Sequence, residues 1–323
     1  MTRASPTLPV TRAADLADVP RALRWLVEDL WSDEAVGIVG GEPKCCKSFL
    51  ALDLAVAVAS GAPCLRRFAV TRTGRVLLFA AEDALHVVRQ RLAGIAHAAG
   101  RELADLDIQV ITAPSVRLDV ERDRDALTET VDTLRPRLLV LDPFVRLHRI
   151  DENVSGEVAP LLAYLRELQR RYQVAVVLVH HARKGGAKLR AGQALRGSSE
   201  FHAWGDSNLY LRRHGEQLTL SVEHRAAASI SNVQLVLDTA DASVALRTID
   251  SSTVAEPAAL AAEPDRSLEQ RLVEHLAAAS MPITATALRK LCQVRNTALS
   301  HTLAALVDAG RVRKDRTGYA LVR

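Results

Sequence analysis

Gly41-Glu42-Pro43-Lys44-Cys45-Cys46-Lys47-Ser48 follows the apolar run Ala35-Val36-Gly37-Ile38-Val39-Gly40 and leads into a stretch of Ala, Leu and Val up to Ser60. The short apolar run reads as a buried strand. The stretch after the loop has helical length and is stopped by Gly61 and Pro63. A loop between a strand and a helix with this pattern matches G-x-x-x-x-G-K-[ST] at seven of its eight positions. Consecutive backbone N–H groups and a helix N-terminus at such a loop surround anionic oxygens, so the ligand expected here is the phosphate chain of ATP. Gly41, Glu42, Pro43, Lys44, Cys45, Cys46, Lys47, Ser48 and Phe49 form the binding set. Lys47 is expected to reach the β- and γ-phosphates, and the Ser48 hydroxyl to bind Mg²⁺. The departure is Cys46, which stands where the pattern has its second glycine. A Cβ and a small thiol fit there if φ is below zero, and a functional loop is expected. The Cys46 thiol is also a candidate for oxidation.

Outward from the loop the pattern is a βα alternation. Arg75–Ala80, Ile108–Ile111, Leu138–Leu141 and Val174–Val179 read as further buried strands. Ala84–Ala99, Asp123–Leu134 and Glu157–Arg171 read as the helices between them. Near-continuous apolar strands alternating with amphipathic helices imply an α/β fold with a mainly parallel sheet covered on both faces. After Leu195, Ser207–Arg212, Gln217–Val222 and Val233–Leu237 look like antiparallel strands closing one edge.

Ligands of an open parallel sheet bind beyond the carboxyl ends of its strands. Three strand ends carry polar groups. Asp142 ends the strand 138–141 and suits the role of holding a water on Mg²⁺. Glu82 follows the strand 75–80 and is placed to polarise the attacking water, with Asp83 a candidate cap for the helix starting at Ala84. His180 and His181 end the strand 174–179, and His181 is the favoured contact to the γ-phosphate.

Composition sets outer bounds. The chain has 323 residues, 48% hydrophobic, 25% charged and only 4% aromatic, so its core is built largely from Ala, Val and Leu. No apolar run reaches the roughly 18 residues a bilayer span needs. Met1–Val10 has no apolar segment of the secretory type, so the expected location is the cytoplasm, without a membrane partner. The four cysteines, Cys45, Cys46, Cys64 and Cys292, contain no C-x-x-C spacing and read as reduced thiols. Residues 265–323 hold ten Lys/Arg against five Asp/Glu in a chain of net charge +4, so the basic excess lies in that tail. Basic surface attracts polyanions.

The expected domains are a lead-in over 1–34, the ATPase core over 35–240, a linker over 241–265 and a winged helix-turn-helix over 266–323. In the last, Ser267, Thr284 and Asn296 are candidate helix caps, and Arg311–Val322 forms a hairpin around Gly318. Arg295 and Asn296 at the start of the third helix, with Arg313 and Lys314 in the hairpin, are the candidate duplex contacts.

Taken together, Trp25-Leu26, the phosphate loop, Ala81-Glu82-Asp83, Leu141-Asp142-Pro143, His180-His181 and Arg196-Gly197-Ser198-Ser199 resemble the RecA-like ATPases, especially small hexameric replicative helicases of the plasmid RepA type. The resemblance covers residues 25–235. It implies a homo-hexameric ring with ATP sites between subunits, Glu82 activating water, Asp142 serving Mg²⁺ and His181 coupling the γ-phosphate to DNA loops. It also implies an arginine from the neighbouring subunit. The family's position for it holds Gly205 and Asp206 here, which leaves Arg196, Arg212 and Arg213 as candidates. The basic segment with Arg183, Lys184, Lys188 and Arg190 corresponds to the loop that holds single-stranded DNA in the pore. The function implied is an ATP-dependent DNA motor or loader. The alternatives are an ATP-switched DNA-binding regulator or recombination mediator that does not unwind, and a scaffold without DNA affinity.

Overall fold

The computed structural model describes residues 10–16, 25–181, 200–215, 217–239, 244–249, 268–279, 281–292, 299, 302–303, 306–307, 309–315 and 318–322. The chain divides into two compact units, Met1–Val254 and Ala255–Arg323.

The first unit opens with a small antiparallel ribbon, β1 (Trp25–Val27) and β2 (Trp31–Ser32). The part of the lead-in from Trp25 to Ser32 forms this ribbon, with Trp31 fully buried. Then come β3 (Val36–Gly41), α1 (Lys47–Ser60), β4 (Val76–Ala80), α2 (Leu85–Ala98), β5 (Ile108–Val110), α3 (Glu121–Leu134), β6 (Leu138–Asp142), α4 (Ser155–Tyr172) and β7 (Ala175–His181). A short helix α5 (Glu200–Trp204) precedes β8 (Ser207–His214), β9 (Gln217–His224), β10 (Ile230–Asp238) and β11 (Ala245–Thr248). Strands β3 to β11 form one sheet of order β11-β10-β9-β8-β3-β7-β6-β4-β5.

Six of these strands, β5, β4, β6, β7, β3 and β8, run parallel. The antiparallel edge therefore begins one strand later than the sequence suggests: β8 pairs parallel with β3 and antiparallel with β9. The sheet also runs past residue 240. β11 pairs with β10 inside the 241–265 stretch read as linker, where four residues with little periodicity gave no strand signal. The later part of that stretch, with Ser267, lies outside the described residues.

Side-chain alternation divides the core in two. Val76, Leu78, Leu138, Val140, Val177 and Val179 face α1 and α2. Leu77, Phe79, Leu139, Leu141, Val176 and Leu178 face α3 and α4. Two apolar faces on one sheet explain why these strands read as uninterrupted hydrophobic runs. Asp53, the polar interruption of α1, is fully buried. Its carboxylate accepts the Leu65 N–H at 2.7 Å and pairs with Arg66, which satisfies the charge that burial would otherwise penalise. Gly37 has a packing reason: a Cβ there would lie 1.7 Å from the Ser207 carbonyl oxygen.

The second unit has its own core of Leu272, Leu276, Leu288, Leu299, Leu303, Leu306 and Val312. It contains α6 (Leu268–Ala278), α7 (Ala285–Cys292) and a ribbon of β12 (Val312–Lys314) with β13 (Tyr319–Leu321). Thr284 caps α7, its hydroxyl accepting the Ala287 N–H at 3.3 Å. No helix among the described residues is long and apolar enough to cross a membrane.

Candidate active site

The parallel strands end on one side of the sheet, and the polar groups at those ends border one cavity of about 340 Å³. Its walls are Lys44 to Phe49, Glu82, Arg91, Asp142, Val179 and His181. A larger hollow of about 560 Å³, bordered by Asn208, Arg212, Glu223 and Arg225, gathers none of these groups.

In the loop, Lys47 is buried and its Nζ donates to the Glu42 carbonyl at 2.8 Å. An ammonium has three donors, so this bond leaves capacity for phosphate oxygens. Gly41 is required by close approach: a Cβ would lie 2.4 Å from the Leu211 carbonyl oxygen and 2.6 Å from Cys45 Sγ. Cys46, the residue before α1, does not meet the condition of a negative φ. It stands in the left-handed region at φ +64°, as does Lys44 at φ +65°. The loop keeps the backbone a glycine would adopt and carries a Cβ there at a steric cost.

Ser48 and Asp142 both line the cavity, and the Ser48 hydroxyl favours the ionised form of the carboxyl. Burial pushes the Asp142 carboxyl up to about 6. The Ser48 hydroxyl opposes this, Asp83 and Glu82 push further up, and Lys47 pulls down. A buried carboxylate with two acidic neighbours and a hydroxyl beside it fits a divalent cation, whose charge favours the ionised form. The donor set therefore suits Mg²⁺, which Ser48 would hold directly and Asp142 through water.

Glu82 stands at the cavity edge and accepts a hydrogen bond from Arg146 Nε at 2.9 Å. Arg146 comes from the short helical turn Phe144–Arg146 just after β6. Asp83 does not cap α2. Ala84 holds the cap position without a side-chain bond, and Asp83 pairs with Arg91 instead. The Arg91 guanidinium also lies over the Phe49 ring, 5.1 Å from its centroid. The β4–α2 loop is thus tied to the first turn of α1.

The two histidines of β7 part company because successive strand residues face opposite sides. His181 lines the cavity, and its Nδ1 is buried with no hydrogen-bond partner among the described residues. Burial and the nearby Lys47 lower its pKa, against the opposing effect of Glu82. His180 turns to the other face, 2% exposed, against Phe201 and Phe144. There it and His148 flank one carboxylate, with Nε2 atoms 3.7 Å and 3.4 Å from Glu152. These are close contacts rather than formed hydrogen bonds. Burial raises the Glu152 carboxyl, but the two imidazoles outweigh it and hold it at about 2.

The structure thus brings together Lys47, Ser48, Glu82, Asp142 and His181. Arg196 and the candidate DNA contacts Arg183, Lys184, Lys188, Arg190, Arg295 and Asn296 lie outside the described residues. Arg313 and Lys314 are exposed on β12. Arg91 and Arg146 were missed. The signal for Arg91 was its place about two turns into the helix that Asp83 precedes. For Arg146, no local pattern pointed to a partner 64 residues away.

Fold and site define a P-loop α/β domain with a RecA-like fold. A family model described as an AAA domain matches residues 2–187, and the chain belongs to that family. Among solved structures, a DnaB-like replicative helicase determined with regard to its interactions with primase is similar, with a TM-score of 0.50 and 13% identity. The match covers 66% of this chain and 57% of that one, so the chain spans little more than half the length of that helicase. At this identity the likeness speaks for the fold alone.

Proposed function

We propose that the protein is an ATP-driven DNA motor of the RepA-like helicase or loader type, working as a homo-hexamer in the cytoplasm. The supporting observation is the meeting of Glu82, Asp142 and His181, from three different strand ends, on one cavity with Lys47 and Ser48. Loop amides and Lys47 hold the phosphates. Bound Mg²⁺ would draw charge from the β- and γ-phosphate oxygens. Glu82 orients a water and accepts its proton as the oxygen attacks the γ-phosphorus and the β–γ bridging bond breaks, leaving ADP and phosphate. His181, neutral and with a free ring nitrogen, contacts the γ-phosphate and reports its loss to the segment that follows β7. That segment, with Arg183, Lys184, Lys188 and Arg190, is proposed to hold single-stranded DNA. The 266–323 unit is proposed to be a winged helix binding duplex.

A second reading, an ATP-switched DNA binder that does not unwind, draws support from the Arg146 contact on Glu82 and the left-handed Cys46, both of which fit a slow site. The deciding measurement is ATP hydrolysis with and without single-stranded DNA, for the wild type, Lys47→Ala and Glu82→Gln. Turnover stimulated by DNA and lost in both variants supports the motor. Nucleotide binding without turnover under any DNA condition leaves the switch.

A further inference from the structure

The register of the sheet brings one more side chain to this edge. Because β8 is parallel to β3, with Leu211 opposite Gly41, its carboxyl end opens on the same side as those of β4, β6 and β7. Beyond Leu211 the strand continues through Arg212 and Arg213. Leu209 and Leu211 pack in the α1-side core and Tyr210 in the opposite one. Strand alternation therefore puts Arg213 on the α1 face and Arg212 on the other. The contacts agree. Arg213 Nη2 lies 3.4 Å from Cys46 Sγ, whereas Arg212 borders the hollow on the far face. The Arg213 charge also reaches the Cys45 thiol, opposing the burial that pushes it up.

We propose that Arg213 binds the nucleotide phosphates of its own subunit, closing the phosphate loop on the β8 side. The inference rests on the nucleotide reading above and differs from an arginine supplied by a neighbour. A thiol is a weak acceptor, and a guanidinium carries five donors suited to phosphate oxygens. Exchange of Cys46 Sγ for an anionic oxygen needs only a rotation of this exposed side chain. Glu82, Asp142 and His181 belong to β4, β6 and β7, on the opposite side of β3 from β8. Arg213 therefore meets the phosphates away from the site of water attack, and it serves ADP as well as ATP.

The test is titration of the whole chain with mant-ADP and Mg²⁺, comparing the wild type with Arg213→Ala, Arg213→Lys and Lys47→Ala. A charge-assisted contact of this kind predicts about ten- to hundredfold weaker binding in Arg213→Ala, with part regained in Arg213→Lys. Wild-type affinity in Arg213→Ala beside a loss in Lys47→Ala overturns the inference and leaves the nucleotide site standing. No mant-ADP binding by the wild type overturns both. Mixing Arg213→Ala with Lys47→Ala chains separates own-subunit from neighbour action. Tight sites reappearing in the mixture mean that Arg213 acts across subunits and sink the proposal; their absence supports it.

Discussion

Arg146 Nε donates to Glu82 Oε1 at 2.9 Å, so the carboxylate proposed to activate water is engaged by a cation from the end of the neighbouring strand. The side chains are 62% and 44% exposed, and such a pair is worth about 0–1 kcal/mol. It is a competitor that water can displace. Arg146→Ala is therefore expected to raise basal ATP turnover by up to about fivefold with KM unchanged. Phosphate release at saturating ATP without DNA measures this. A fall in turnover would show instead that Arg146 holds Glu82 in its working pose.

The left-handed backbone of Cys46 costs roughly 1–2 kcal/mol for a residue with a Cβ, against about 0.5–1 kcal/mol of extra chain entropy for glycine. Cys46→Gly is expected to stabilise the protein by about 1 kcal/mol, a rise in Tm of about 2–4 °C for a unit of this size. Cys46→Ala keeps the strained Cβ and gives no such gain. Calorimetry on the two variants checks it, and equal melting points would mean the strain is relieved elsewhere in the loop.

What the sequence made legible follows from range. The phosphate loop is local: eight adjacent residues carry the pattern, and the strand before and helix after are marked by their own periodicity. Asp142 and His181 were readable because the first directly ends an apolar run and the second stands two residues past the end of another. The sequence could not supply what depends on pairing across the fold. The φ of Cys46 is set by the loop closing onto α1, with Arg213 of β8 against its thiol. The parallel sense of β8 follows from its pairing with β3, although a tight turn to β9 suggests only the antiparallel partner. Glu152 lies in a polar stretch that reads as a loop, yet it ends up 9% exposed between two histidines, one of them from β7.

That buried carboxylate makes a pH prediction. Glu152 stands at about 2, below its ordinary 4.5. An acid whose folded pKa is depressed contributes stability that is present above about 4.5 and lost as pH falls toward 2. Removing one partner of a buried pair costs about 3 kcal/mol or more, so Glu152→Gln is expected to be about that much less stable at pH 7. The gap should narrow steadily between about pH 4.5 and pH 2. Urea unfolding at several pH values reads it. A gap that stays constant across the range assigns Glu152 a packing role only.

The second unit offers a separate test of DNA contact. Arg313 and Lys314 are exposed on β12, with Lys314 Nζ 5.7 Å from the Tyr319 ring centroid, so replacing them leaves the core of Leu272, Leu288, Leu303 and Val312 intact. If each neutralises one phosphate of a duplex, each lowers by about one the slope of log affinity against log salt, since one fewer counterion is released. The double variant Arg313→Ala/Lys314→Ala is therefore expected to lose about two from that slope while melting like the wild type. The loss should be similar on unrelated sequences, because phosphate contacts carry no base information. Fluorescence anisotropy on a labelled duplex over a range of salt measures both features. An unchanged slope would remove this ribbon from the DNA interface and turn attention to protein partners for the unit.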